Sequence, residues 1–363
     1  MAKVSSYREL MAEQARAAVR VTGADHSSWN GKLGPTNPSE PVDGLAEWDH
    51  TIRYSEANVS EPLRDMFSNA RVHNQDRATL RSYRKALKTV LHENVHVLAD
   101  RGTDHFQGQQ EYNKPSGRLA EESFTELYSL KKLDDYIDDL GLEEIAPGIK
   151  DVPTAEIYKR YLPGAQAFAD HVGNRSGLGS DEVVRRMAVA NAEQKFPVAA
   201  AAIYDNSKLP GLVPSDQRQA SIQRIAEAMK PAFAEIENAT SKDPDTQRRQ
   251  AAVAGGAAAE AGYQEVRAIQ KVWAQPAPET NRHLGPEKQQ AQQAQPQQSA
   301  QQTDAGPSGA PASRSGDLQQ AMRAGLGGTA PLSAAKVLSA DQQGSRRSGP
   351  QAGQQRQGPE RES

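Results

Sequence analysis

The 363-residue chain contains no cysteine. Disulfides, thiolate metal ligands and a cysteine nucleophile are therefore excluded, and any metal site must be built from His, Asp and Glu. Aromatic residues make up 5% and hydrophobic residues 36%, which is lean for a globular chain of this length. No apolar run approaches the ~18 residues that would suggest a membrane span, so no membrane partner is expected. Residues 1–23 carry Lys3, Arg8, Glu9, Glu13, Arg16 and Arg20 and lack the apolar centre of a signal peptide. The expected location is cytoplasmic, or exported without a cleavable signal. A formal net charge of −3 gives no global attraction to nucleic acid or anionic lipid. The phosphate-binding Gly-rich loops and the Gly-x-Ser-x-Gly nucleophile elbow are also missing.

The shortage of apolar residues is uneven. From about residue 275 onward Gln, Pro, Ala, Gly and Ser dominate, so residues 276–363 read as a disordered tail that cannot bury enough apolar area to offset its ordering entropy. One amphipathic island within it, residues 318–326, is a candidate to fold on a protein partner. The core must come from residues 1–275. Helical periodicity marks residues 5–20, a helix capped by Asp76 and running to about 100, and a second helix over about 119–140. Residues 23–44 and 102–117 read as loops, and residues 51–55 are the best strand candidate. Further helices are predicted near 155–172, 181–205, 215–240 and 246–273. The expected fold is α+β and mostly helical. Residues 1–150 would form a metal-binding domain with a small edge sheet, and residues 151–275 a helical lobe completing the cleft.

What is present is a metal motif. Residues 92–96 read His-Glu-Asn-Val-His. On a helix, positions i and i+4 share a face, so His92 and His96 can reach one tetrahedral ion through Zn–N bonds of about 2.0–2.1 Å. Glu93, rotated about 100° from His92, can stand beside the ion and take a proton from water as a general base. On the next predicted helix, Glu122 and Glu126 are again four residues apart. One of them can ligate zinc while the other steadies a ligand imidazole through its remote nitrogen. The alternative is that Glu121, Glu122 and Glu126 form a solvated face.

The His92-Glu-Asn-Val-His96 and Glu121-Glu122-Ser-Phe-Thr-Glu126 pair resembles the gluzincin, thermolysin-like branch of the zincin metallopeptidases, over residues 91–126 only. The resemblance implies Glu122 as third zinc ligand, Glu126 as the partner of His92, and a peptide or protein substrate. It also implies that residues 51–55 supply the edge strand on which extended substrate pairs. The metzincin pattern fails, because Ala99 and Gly102 stand where Gly and His are wanted. Residues 102–104 are similar to the aspzincin Gly-Thr-x-Asp stretch but one residue short, which keeps Asp104, His105 and Glu121 as alternative third ligands.

No motif identifies an oxyanion stabiliser. Tyr128 and His171 are the named candidates, with Tyr158, Tyr161 and Tyr204 eligible by residue type. The expected function is a zinc-dependent hydrolase of the metalloendopeptidase kind. Alternatives are a non-catalytic metal-binding interaction module and a nucleic-acid-associated helical protein. The basic run Arg77, Arg81, Arg84, Lys85 and Lys88 is interleaved with apolar residues and reads as a solvated helix face rather than a nucleic-acid contact.

Overall fold

Helix boundaries follow local capping chemistry. The computed structural model describes residues 3–274, apart from 40, 74, 75 and 102. The proposed tail and its island at 318–326 lie outside the described residues. In chain order the elements are α1 (Tyr7–Thr22), β1 (Leu33–Pro35), β2 (Gly44–Ala46), β3 (Ile52–Tyr54), α2 (Glu61–His73), α3 (Arg77–Val95), α4 (His105–Tyr112), α5 (Pro115–Leu140), α6 (Leu162–Ser176), α7 (Ser180–Ala188), α8 (Lys195–Asp205), α9 (Arg218–Ala234) and α10 (Pro244–Trp273). Ser6, Asp76, Asp104 and Asp243 each accept hydrogen bonds from N–H groups at the start of α1, α3, α4 and α10. Pro115 opens α5, and Gly141, at φ 71° in the left-handed region, closes it.

The fold is mostly helical with one three-stranded sheet of order β1-β3-β2. β3 pairs parallel with β1 and antiparallel with β2. The strand expected at residues 51–55 is thus the centre of the sheet and not its edge. Both of its flanks are already hydrogen-bonded, so it cannot add a substrate strand. The edges are β1, which lies in the stretch expected to be loop, and β2, which begins at the last residue of that stretch. At three residues each, they are too short to show an alternating pattern.

Three helical expectations are also corrected. α3 stops at Val95, not near residue 100. Its last turn tightens through Val97 N–H to Asn94 O and Leu98 N–H to Val95 O, both at 3.2 Å. The Val97 carbonyl is then taken by the Ser28 N–H at 2.7 Å. The Gly- and Gln-rich stretch after residue 102 contains α4, held by the Asp104 cap and by burial of Glu111 and Tyr112. Residues 181–205 form two helices, with Asn191 turning the chain between them by accepting from Gln194 N–H at 3.0 Å.

α5 is the hub, packing on α1 and α3 on one side and on α6, α7 and α9 on the other. One hydrophobic cluster runs from Val4 to Ile269. Within it Phe124 of α5 meets Phe168 and Phe233, and Phe196 packs on both of these, with centroids 5.3–6.2 Å apart. α6 and α10 cross through glycine: a Cβ on Gly255 would lie 1.9 Å from Gly164 O. Gly255→Ala must therefore push the helices apart. We expect it to cost about 1–3 kcal/mol, or more, as overpacking does, read as a lowered midpoint in urea unfolding.

Candidate metal centre

α3 and α5 cross so that the end of one faces the first half of the other. α3 is tied in place by Asn94, whose amide donates to Gln14 Oε1 of α1 at 2.9 Å and to Val90 O at 2.8 Å. That fixes the turn on which His92 and His96 sit, with His96 directly after the last residue of α3. Glu121, Glu122 and Glu126 enter from the facing side of α5 and are all buried. The bland expectation of a solvated acidic face is thereby overturned.

His92 Nε2 and His96 Nε2 approach to 3.1 Å. Glu122 Oε2 lies 3.6 Å from the first and 3.8 Å from the second. Donors around a tetrahedral ion with bonds near 2.0–2.1 Å stand roughly 3.3 Å apart, so the triangle is of the right size for one small cation. Glu122 Oε2 is buried and makes no hydrogen bond, an unmet acceptor aimed at two imidazoles. His92, His96 and Glu122 could therefore hold a metal ion.

The surroundings fix each donor. His92 Nδ1 lies 2.9 Å from Glu126 Oε2, and His96 Nδ1 lies 2.7 Å from Glu121 Oε1. Tyr112 of α4 donates to Glu122 Oε1 at 2.7 Å. Remote partners of this kind set the imidazole tautomer and leave Nε2 free for metal. Behind them stand Lys88, 2.9 Å from Glu126 Oε2, and Lys195, 3.2 Å from Glu121 Oε2. Lys88 and Arg84, expected on a solvated face, are both buried. The helix turns them toward α5 and the segment after it, and Arg84 reaches Asp134 at 2.7 Å.

Of the alternative third ligands, Glu121 is occupied by His96 Nδ1. Asp104 caps α4 by accepting from Phe106 and Gln107 N–H groups. His105 packs on His50, with ring centroids 4.1 Å apart. Tyr128 donates to Thr22 O at 3.1 Å, and His171 of α6 lies against Gly256 of α10. Neither is brought to the ligands. Tyr158 is instead: its ring stacks on His92 at 6.1 Å, and its hydroxyl engages Glu122. Burial, then the Glu122 charge, push its phenol well above the usual range. Tyr161 stacks on Tyr158, 6.0 Å away, and Tyr204 lies beneath Arg218.

Glu93 is fully buried and runs along the backbone of β2. A Cβ on Gly44 would lie 2.6 Å from Glu93 Oε1 and 2.7 Å from its Cγ. Only glycine lets the carboxylate occupy that place. Neither Gly44, Lys88, Lys195 nor Tyr112 was marked by spacing in the sequence. Lys88, one helical turn before His92, is the one that helical periodicity could have pointed to.

No family model matches the chain, and no curated protein or solved structure does either. None of the described helices is long and apolar enough to cross a membrane.

Burial disfavours the imidazolium of His92, but Glu122 and Glu126 outweigh it and raise its pKa to about 9. Burial likewise opposes ionisation of Glu126, yet Lys88, His92 and the Ile157 N–H bring it down to about 2. A metal must displace the His92 proton. Below about pH 9, metal affinity should therefore rise about tenfold per pH unit as pH increases. For the metal-free fold the sign is opposite. With its folded pKa above the unfolded value of 6.5, His92 contributes stability that is complete below that value and is lost as pH rises through about 9. Zinc titrations against a competing chelator across this range, beside thermal unfolding in chelator, test both trends.

Proposed function

We propose that the chain is a metal-dependent hydrolase, most simply a zinc peptidase built on a zincin-like frame in residues 1–150 with a helical lobe completing the site. The observation that carries this reading is the meeting of His92 Nε2, His96 Nε2 and Glu122 Oε2 within 4.8 Å of one another, with Glu93 next in sequence to the first ligand. Three protein donors on zinc leave a fourth position for water, the arrangement of catalytic rather than structural sites. Bound zinc would supply Lewis-acid chemistry, lowering the pKa of water toward ~7 and polarising a carbonyl.

The remaining steps belong to the chain. Glu93 accepts the water proton on its carboxylate and returns it to the leaving amine. Tyr158, the phenol beside Glu122 and His92, turns its proton from Glu122 to the developing oxyanion. A peptide or protein substrate reaches this centre after residues 153–161 are displaced. They contain no regular helix or strand, carry Tyr158 over His92, and donate Ile157 N–H to Glu126 at 2.9 Å.

Glu93→Gln is expected to keep the metal and abolish hydrolysis of a mixed peptide library, with metal content read by elemental analysis. A variant that stays fully active would remove Glu93 as the base. Gly44→Ala, which pushes Glu93 from its place, is expected to retain metal and lower turnover on the order of 100-fold.

One observation favours a second reading, a non-catalytic metal-binding module. The ligands His92, His96 and Glu122 are only 1%, 5% and 3% exposed. Stoichiometric metal with no hydrolysis of any library member would decide for it.

A further inference from the structure

Among the described residues only two lysines are buried, Lys88 and Lys195, and both are completely so. They come from different helices, α3 and α8, yet both end on a carboxylate that holds a candidate ligand imidazole. Lys88 Nζ donates to both oxygens of Glu126, at 2.9 and 3.1 Å. Lys195 Nζ lies 3.2 Å from Glu121 Oε2. The same order of groups thus recurs, ammonium, carboxylate, remote imidazole nitrogen, as a hydrogen bond at Lys88 and as an ion pair at Lys195.

The charge count explains why two are needed. Glu93, Glu121, Glu122 and Glu126 are buried together with two imidazoles, both of which must be neutral to bind a metal. At full charge the four carboxylates exceed the two ammonium groups by two, which is the charge of one divalent cation. Without the lysines the excess would be four. Carboxylates so placed repel one another strongly, because the interior screens charge poorly.

We propose that Lys88 and Lys195 are internal counter-cations of the metal centre, positioning residues that hold Glu126 and Glu121 on the ligand imidazoles and keep the carboxylate cluster folded when no metal is bound. This rests on the metal-site reading above. The competing role for Lys195 is purely architectural, since its Nζ also donates to Met187 O at 2.7 Å, Ala188 O at 3.4 Å and Ala190 O at 2.9 Å, at and just past the end of α7.

The two roles separate on full-length protein, chelator-treated or zinc-loaded, by thermal unfolding and by zinc affinity against a competing chelator. For a counter-cation, Lys195→Met should lower the metal-free Tm by roughly 10 °C and the zinc-loaded Tm by less than half as much. It should also tighten zinc binding by about tenfold, because an added negative charge then faces the cation. Adding Glu121→Gln to Lys195→Met should restore most of the metal-free loss. The glutamine can still accept from His96 Nδ1 but carries no charge. Lys88→Met should show the same zinc-dependent split, at a position away from α7.

Equal losses with and without zinc, or no recovery in the double variant, would overturn the proposal and leave Lys195 as an end cap of α7. If Lys195→Met fails to fold without metal, recovery by zinc or by Glu121→Gln supports the proposal, and recovery by neither overturns it. Wild-type protein that takes up no zinc would overturn this reading and the metal-site reading together. Zinc-binding wild type with equal losses in the variant would overturn this one alone.

Discussion

Four carboxylates share a volume from which water is excluded, and that repulsion must be met by opposite charge or by hydrogen bonds. Each oxygen that is not met by a lysine, an imidazole, a tyrosine hydroxyl or a backbone N–H adds to the cost of folding. The arrangement around α3 and α5 answers this constraint in turn for Glu126, Glu121 and Glu122. Glu126 is held by Lys88, His92 and Ile157, and Glu121 by His96 and Lys195. Glu122 is held at one oxygen by Tyr112, is engaged by the Tyr158 hydroxyl, and directs its Oε2 at the two imidazoles. That oxygen, one of the buried acceptors with no hydrogen bond, falls where a cation would sit.

The rest of the fold serves to keep these groups in register. Asn94 fixes the rotation of α3 through Gln14, and Gly44 lets the sheet approach Glu93 within the space of a hydrogen atom in place of a methyl group. α4 exists to deliver Tyr112, and the break between α7 and α8 turns Lys195 inward. Residues 151–274 thus contribute a charged group as well as a wall, and the candidate metal site draws on both halves of the described chain.

Much of this was legible in the sequence where the signal was local. The i,i+4 histidines, the i,i+4 glutamates and the cap at Asp76 are patterns within one helix, and local spacing exposes them. What was not legible depends on distant partners. Lys195 lies 74 residues from Glu121 in the numbering and carries no motif of its own. Lys88 sat among basic residues and looked solvated. Tyr158 belongs to an irregular segment, while Tyr128 and His171 were attractive by type alone. Residues 51–55 showed strand character, but three-residue neighbours gave no sign that they would flank it on both sides.

α5 turns Glu122 and Glu126 toward α3 while the intervening Phe124 points into the aromatic cluster with Phe168 and Phe233. Ligand spacing and aromatic packing are consequently two readings of the same rod's position. A change of volume among those phenylalanines bears on the seat of the helix that carries the carboxylates. Alterations made well away from any ligand could in this way retune which ions the centre accepts.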